Sequence, residues 1–228
     1  MLRKIQLLGA SLIILSASSA HSGFYAGMGT GSDTVDVAMR SRITGPNPGH
    51  PANFDVINKS HASATGIFGS LFAGYGTLAY KNFYFAAEAN GTLSATQSNS
   101  YNFEFIHNTF SHTVIKLKNT IGISILPGYQ YSSDTLFYGR LGLTSGRFQV
   151  NTTDISLANF SKKRTGFRYG LGINQNITNR LALRMDYSRI TYNDTNTSTF
   201  DPVGVVIKST QMTPNEQLVE FGLVFNFA

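Results

Sequence analysis

The final stretch, Gln217 to Ala228, constrains the fold more than any other part of the chain. It reads Q-L-V-E-F-G-L-V-F-N-F-A, with Phe221, Leu223, Phe225 and Phe227 on one parity. Glu220, Gly222 and Asn226 fall on the other, and Val224 is the one apolar exception there. Period-two alternation means a strand with one oily and one wet face. A soluble sandwich seldom ends on so greasy an aromatic pair, whereas a strand that crosses lipid needs an apolar residue at every second position.

The beginning of the chain supports a route to a membrane. Arg3 and Lys4 precede an apolar run from Ile5 to Leu15, and Ser16-Ala17-Ser18-Ser19-Ala20 supplies small residues. This reads as a secretory signal peptide over residues 1–20, cut after Ala20, with a single barrel domain expected over residues 21–228. The run is too short for a spanning helix, which needs about 20 apolar residues. No later stretch is long enough either, so insertion has to be by a closed barrel.

Composition narrows the chemistry. There is no cysteine, which removes disulfides, thiolate catalysis and Cys-type zinc sites. The 17 Phe and 11 Tyr must also build any interfacial girdle, because Trp is absent. The formal charge of +6 becomes +4 without Arg3 and Lys4. A secreted chain with that balance points to anionic lipid and not to nucleic acid.

Eight strands are expected: Gly23 to Val37, Thr65 to Gly76, Asn82 to Ala95, Thr113 to Tyr129, Thr135 to Val150, Arg164 to Asn176, Arg180 to Tyr192, and the strand after Pro214. Four polar segments are read as long outer loops: Ala38 to Ala64, Thr96 to His112, Asn151 to Lys163 and Asn193 to Pro214. Between them come short turns at Thr77 to Lys81, Tyr131 to Asp134 and Ile177 to Asn179. Alternation of long and short connections is the layout of an eight-stranded antiparallel transmembrane barrel.

Parity then assigns faces. Phe83, Phe85, Ile115, Leu117, Ile121, Ile123, Phe167, Leu171, Leu183 and Met185 are expected outside. Glu88, Lys116, Lys118, Arg168, Arg184 and Asp186 share the inward parity, as do Arg140 and Glu220. In the second strand Ile67 and Leu71 compete with Phe68 and Phe72. Buried charges are costly unless paired, so Glu88, Arg140, Arg168, Arg184, Asp186 and Glu220 are expected to form a network in the lumen. An eight-stranded lumen is just wide enough to be filled by side chains, which favours a plugged core over a pore.

Glu220-x-Gly222-x-x-Phe225-x-Phe227 resembles the C-terminal recognition signal of outer-membrane barrels, although Ala228 follows the last aromatic. Gly23-Phe24-Tyr25-Ala26-Gly27 is similar to the first strand of small eight-stranded barrels of the opacity-protein and outer membrane protein A types. The resemblance implies a bacterial outer-membrane location and recognition by the barrel assembly machinery. It implies no cofactor, and no peptidoglycan-binding domain is expected.

Eleven of the mature chain's cationic residues lie in or beside the expected outer loops, and Lys162-Lys163-Arg164 is the densest cluster. Lys and Arg bind phosphate by charge-assisted hydrogen bonds, so these three residues are candidates for lipopolysaccharide contact. Enzymatic readings are thin. His61-x-Ser63 resembles the His-x-Ser pair of outer-membrane lipid A deacylases, but in that family it sits towards the C-terminal end. His50, His61, His107 and His112 show no metal-ligand spacing. The expectation is a non-catalytic surface barrel that presents loops to lipopolysaccharide, host surfaces or other ligands and supports envelope integrity. A narrow solute channel is the alternative, and a lipid A-modifying hydrolase comes third.

Overall fold

A computed structural model describes residues 23–46, 53–104, 109–153, 159–202 and 205–227. The expected signal peptide, His21, His50, His107 and Ala228 lie outside these residues. The described chain is all strand and turn: β1 Gly23–Gly45, β2 Phe54–Tyr80, β3 Phe83–Ser94, β4 Gln97–Glu104, β5 Thr109–Gln130, β6 Thr135–Thr152, β7 Phe160–Asn176, β8 Leu181–Tyr192, β9 Thr195–Asp201 and β10 Val206–Phe227. Neighbours pair antiparallel, and β1 pairs with β10 from Phe24↔Phe227 to Thr44↔Ile207, which closes the sheet. Closure leaves no edge through the membrane.

The barrel has eight staves. β4 continues the line of β3 beyond Ala95 and Thr96 and pairs with β5, while β9 continues β8 beyond Asn193 and Asp194 and pairs with β10. Much of what reads as loop in the sequence is therefore ladder. The β1–β2 register runs from Gly23↔Gly76 to Gly45↔Phe54 without a shift. Twenty-three paired residues extend roughly 75 Å, far more than the ~10 residues a strand needs to cross hydrocarbon. The wall thus rises well above the membrane.

Outside, the apolar band runs from Phe24, Phe83, Phe137 and Phe227 at the turn end to Ile67, Leu93, Ile121, Leu143 and Phe221. Edge-to-face pairs Phe24–Tyr75 and Phe83–Tyr129, with centroids 4.9 and 5.8 Å apart, form part of the girdle at the turn end. The C-terminal alternation is as read: Phe221, Leu223, Phe225 and Phe227 face outward, and Glu220 and Val224 are buried inside. In β2 the competition resolves with Phe68 and Phe72 inside and Ile67 and Leu71 outside.

One strand departs from its expected faces. Ile115 and Leu117 are buried in the lumen, whereas Lys118 is exposed. The register between β5 and β6 shifts from Leu117↔Phe148 to Thr120↔Gly146. An extra residue at such a bulge reverses the parity on one side of it. Below the bulge Ile121 and Ile123 face outward as expected, and the even positions Thr120, Ser124 and Leu126 face inward. Above it, Lys116 and Lys118 leave the lumen for the outer wall.

Candidate functional site: the filled lumen

The lumen contains three tiers. Nearest the turns is an apolar layer of Tyr25, Phe72, Tyr84, Leu126, Leu136, Tyr138 and Val224. Nearest the rim is a second, with Val35, Val37, Phe68, Leu117, Phe148, Ile190, Tyr192, Met212 and Leu218. Glycines make room for the aromatic rings: a Cβ on Gly172 would stand 2.2 Å from Tyr138 Cζ, and one on Gly76 would stand 2.0 Å from Tyr84 Oη. Gly172→Val is therefore expected to displace the Tyr138 ring and lower the melting temperature, which heat-dependent gel mobility would read.

Between the apolar tiers lies the charge network. Glu88 from β3 accepts from Arg140 Nη1 at 2.8 Å and from Arg184 Nη1 at 2.7 Å, and the Tyr25 hydroxyl donates to it at 3.0 Å. Asp186 from β8 accepts from Arg140 Nε at 2.9 Å and from the hydroxyls of Tyr138 and Ser188 at 2.8 and 3.0 Å. Arg168 Nη2 stands 3.6 Å from Asp186 and donates to Ser188 Oγ at 2.8 Å. Arg184 also donates to Asn174 Oδ1, and its guanidinium carbon lies 4.1 Å from the Phe72 ring centroid. These charges are almost wholly buried, and each carboxylate is held by more than one donor, as buried ions require.

Five of the six expected network residues thus meet directly. Glu220 is buried in the same lumen, but no ion pair reaches it among the described residues; it packs over Gly29, where a Cβ would stand 2.7 Å from Glu220 Oε1. Tyr25 and Tyr138 are members that charge-based reading did not include. Their inward parity was visible, but tyrosines on a barrel read equally well as girdle.

The other candidates are spread out. Lys162 and Lys163 are exposed and Arg164 is half-buried, all on β7. Arg164 Nε donates to Thr195 Oγ1 at 2.5 Å, and Lys162 Nζ lies 5.4 Å from the Phe160 centroid. His61 and Ser63 share an outward face on β2; His61 Nε2 is 3.5 Å from Asp36 Oδ1, and no hydrogen bond joins His61 to Ser63. Among the described residues no group of three or more His, Asp or Glu is placed to hold a metal ion. On the rim, Arg42 and Asp55 form a fork with Nη2–Oδ2 at 2.6 Å, and the Arg42 hydrogen bond holds the Asp55 carboxyl below its usual range.

A closed antiparallel barrel with an apolar belt and a polar, ion-paired interior defines a bacterial outer-membrane protein. Residues 6–227 match the model of the outer membrane protein beta-barrel domain, and the chain belongs to that family. The fold is similar to OprG from Pseudomonas aeruginosa, at 15% identity and TM-score 0.51 over 92% of this chain and 99% of that one. It is also similar to the outer membrane protease OmpT from Escherichia coli, at 9% identity and TM-score 0.50 over 93% and 99%. Neisserial surface protein A aligns at 15% identity and TM-score 0.41 over 87% and 99%. Comparison with curated protein sequences finds no significant match.

Proposed function

We propose that this protein is a non-conducting, non-catalytic surface barrel. It offers its raised rim to lipopolysaccharide, host-surface molecules or other ligands and reinforces the envelope around it. The observation that carries this reading is the filling of the lumen. Arg140, Arg168, Arg184, Glu88 and Asp186 are each buried and engaged with one another between two apolar tiers. A hydrated path would have to break several charge-assisted bonds at once, each of which is stronger than a neutral one.

The test is planar-bilayer recording of the purified barrel. The expected trace is silent apart from rare, small openings. Stable ohmic conductance that changes with Arg140→Ala or Arg184→Ala would instead assign a narrow channel.

A further inference from the structure

A row of cations stands on the outer wall across three neighbouring strands. Arg147 of β6 is directly opposite Lys163 of β7, and both are exposed. On the other flank of β6, the bulge between Leu117↔Phe148 and Thr120↔Gly146 brings the exposed Lys118 beside Arg147. Lys116, opposite Gln149, lies just above. Directly opposed side chains on neighbouring strands are about 5 Å apart, and like charges at that distance are destabilising.

Among the described residues nothing on this wall neutralises them. β5, β6 and β7 contain no Asp or Glu. None of the four cations has an ion pair or hydrogen bond among the described residues. Their height is specific too. The outward row immediately below is Ile121–Ser145–Thr165, and the next is Ile123–Leu143–Phe167. Two residues along a strand are roughly 7 Å, which sets the cations just above the hydrocarbon, at headgroup depth. Lys162 and Arg164 alternate away from this face, with the inward parity of Arg168.

We infer that Lys116, Lys118, Arg147 and Lys163 form a binding surface for the phosphate groups of a neighbouring lipopolysaccharide in the outer leaflet. The inference rests on the surface-barrel reading and gives it a named lipid site. A multiply phosphorylated headgroup beside the barrel supplies the anions that the wall lacks and converts a repulsive row into a clamp. Other anionic partners would approach from above, whereas this row faces sideways into the leaflet.

The test compares the intact protein with a quadruple variant, Lys116→Gln, Lys118→Gln, Arg147→Gln and Lys163→Gln. A control variant carries Lys162→Gln and Arg164→Gln. Melting is followed in vesicles containing lipopolysaccharide, in vesicles containing the same lipid after dephosphorylation, and in phosphatidylcholine with inorganic phosphate added. The native barrel is expected to melt highest with the phosphorylated lipid. The quadruple variant should lose most of that rise and the control should keep it. In phosphatidylcholine the quadruple variant should melt no lower than the native barrel, since it is relieved of like-charge repulsion. The site is overturned if the quadruple variant keeps the rise or is weaker in phosphatidylcholine. It is likewise overturned if the control loses the rise equally, or if dephosphorylated lipid or free phosphate stabilises the native barrel as well. Conductance of the same vesicles reports separately on the surface-barrel reading.

Discussion

Glu88→Gln is expected to destabilise the folded barrel more than any other single conservative substitution. Glu88 is the shared acceptor of Arg140 and Arg184 and of the Tyr25 hydroxyl. Neutralising it leaves Arg184 without a carboxylate partner in a fully buried tier. Breaking a buried ion pair on one side costs about 3–5 kcal/mol, because the remaining charge has neither water nor partner. Arg140 retains Asp186, so the loss should fall at the lower end of that range if Arg140 dominates the network and at the upper end if Arg184 does. Combining Glu88→Leu with Arg184→Leu removes one charge of each sign, leaving the Arg140–Asp186 pair and Arg168 beside Asp186. Its cost should be well below the sum of the two single replacements, the mark of directly coupled groups. Equilibrium unfolding in detergent measures Glu88→Gln, the two Leu singles and their double; additive costs would mean that the two side chains do not act as a pair.

That network was legible in outline and not in detail. Glu88, Arg168, Arg184 and Asp186 sit on strands whose opposite face is plainly apolar, so parity alone turned them inward. What parity does not contain is which charge meets which. Glu88 on β3 meets Arg184 on β8, a strand on another part of the ring, and that meeting depends on closure and register. Strand two was ambiguous for a related reason. Ile67 and Leu71 face lipid while Phe68 and Phe72 fill the lumen, so both faces are apolar and alternation disappears.

The raised wall was hidden by the loss of a membrane contrast. Above the apolar band both sides of a strand can be Ser, Thr, Asn or charged, as in Ser41 opposite Asn58 and Thr210, and polar sequence then reads as loop. Inward residues such as Met39 and Met212 still join an apolar tier, but they are too sparse in sequence to announce a strand. Strict alternation places Lys116 and Lys118 in the lumen only because it runs straight through a bulge. No residue near Asn119 signals that irregularity. The corrected faces are what gather the outer cations into one row.

Replacing both Phe225 and Phe227 by Ser is expected to remove most of the protein from the outer membrane in cells while leaving the fold attainable in a test tube. Both rings point outward, and their strand neighbours are Ala26 and Phe24 on β1. Neither ring belongs to a lumen tier. Their substitution therefore leaves the ion network, Val224 and the β1–β10 ladder in place. The physical cost in lipid is the burial of two aromatic side chains, at most about 1.5–3 kcal/mol each. A barrel with eight paired staves should still refold in detergent at that cost and show a heat-shifted gel band. The recognition by assembly machinery that the C-terminal resemblance implies is a different requirement: it would act on the strand before the barrel exists and gain nothing from later closure. Degradation in the periplasm together with normal refolding in detergent would assign Phe225 and Phe227 to recognition. Normal outer-membrane levels would remove that role, and failure in detergent as well would make the two rings structural members of the lipid-facing wall.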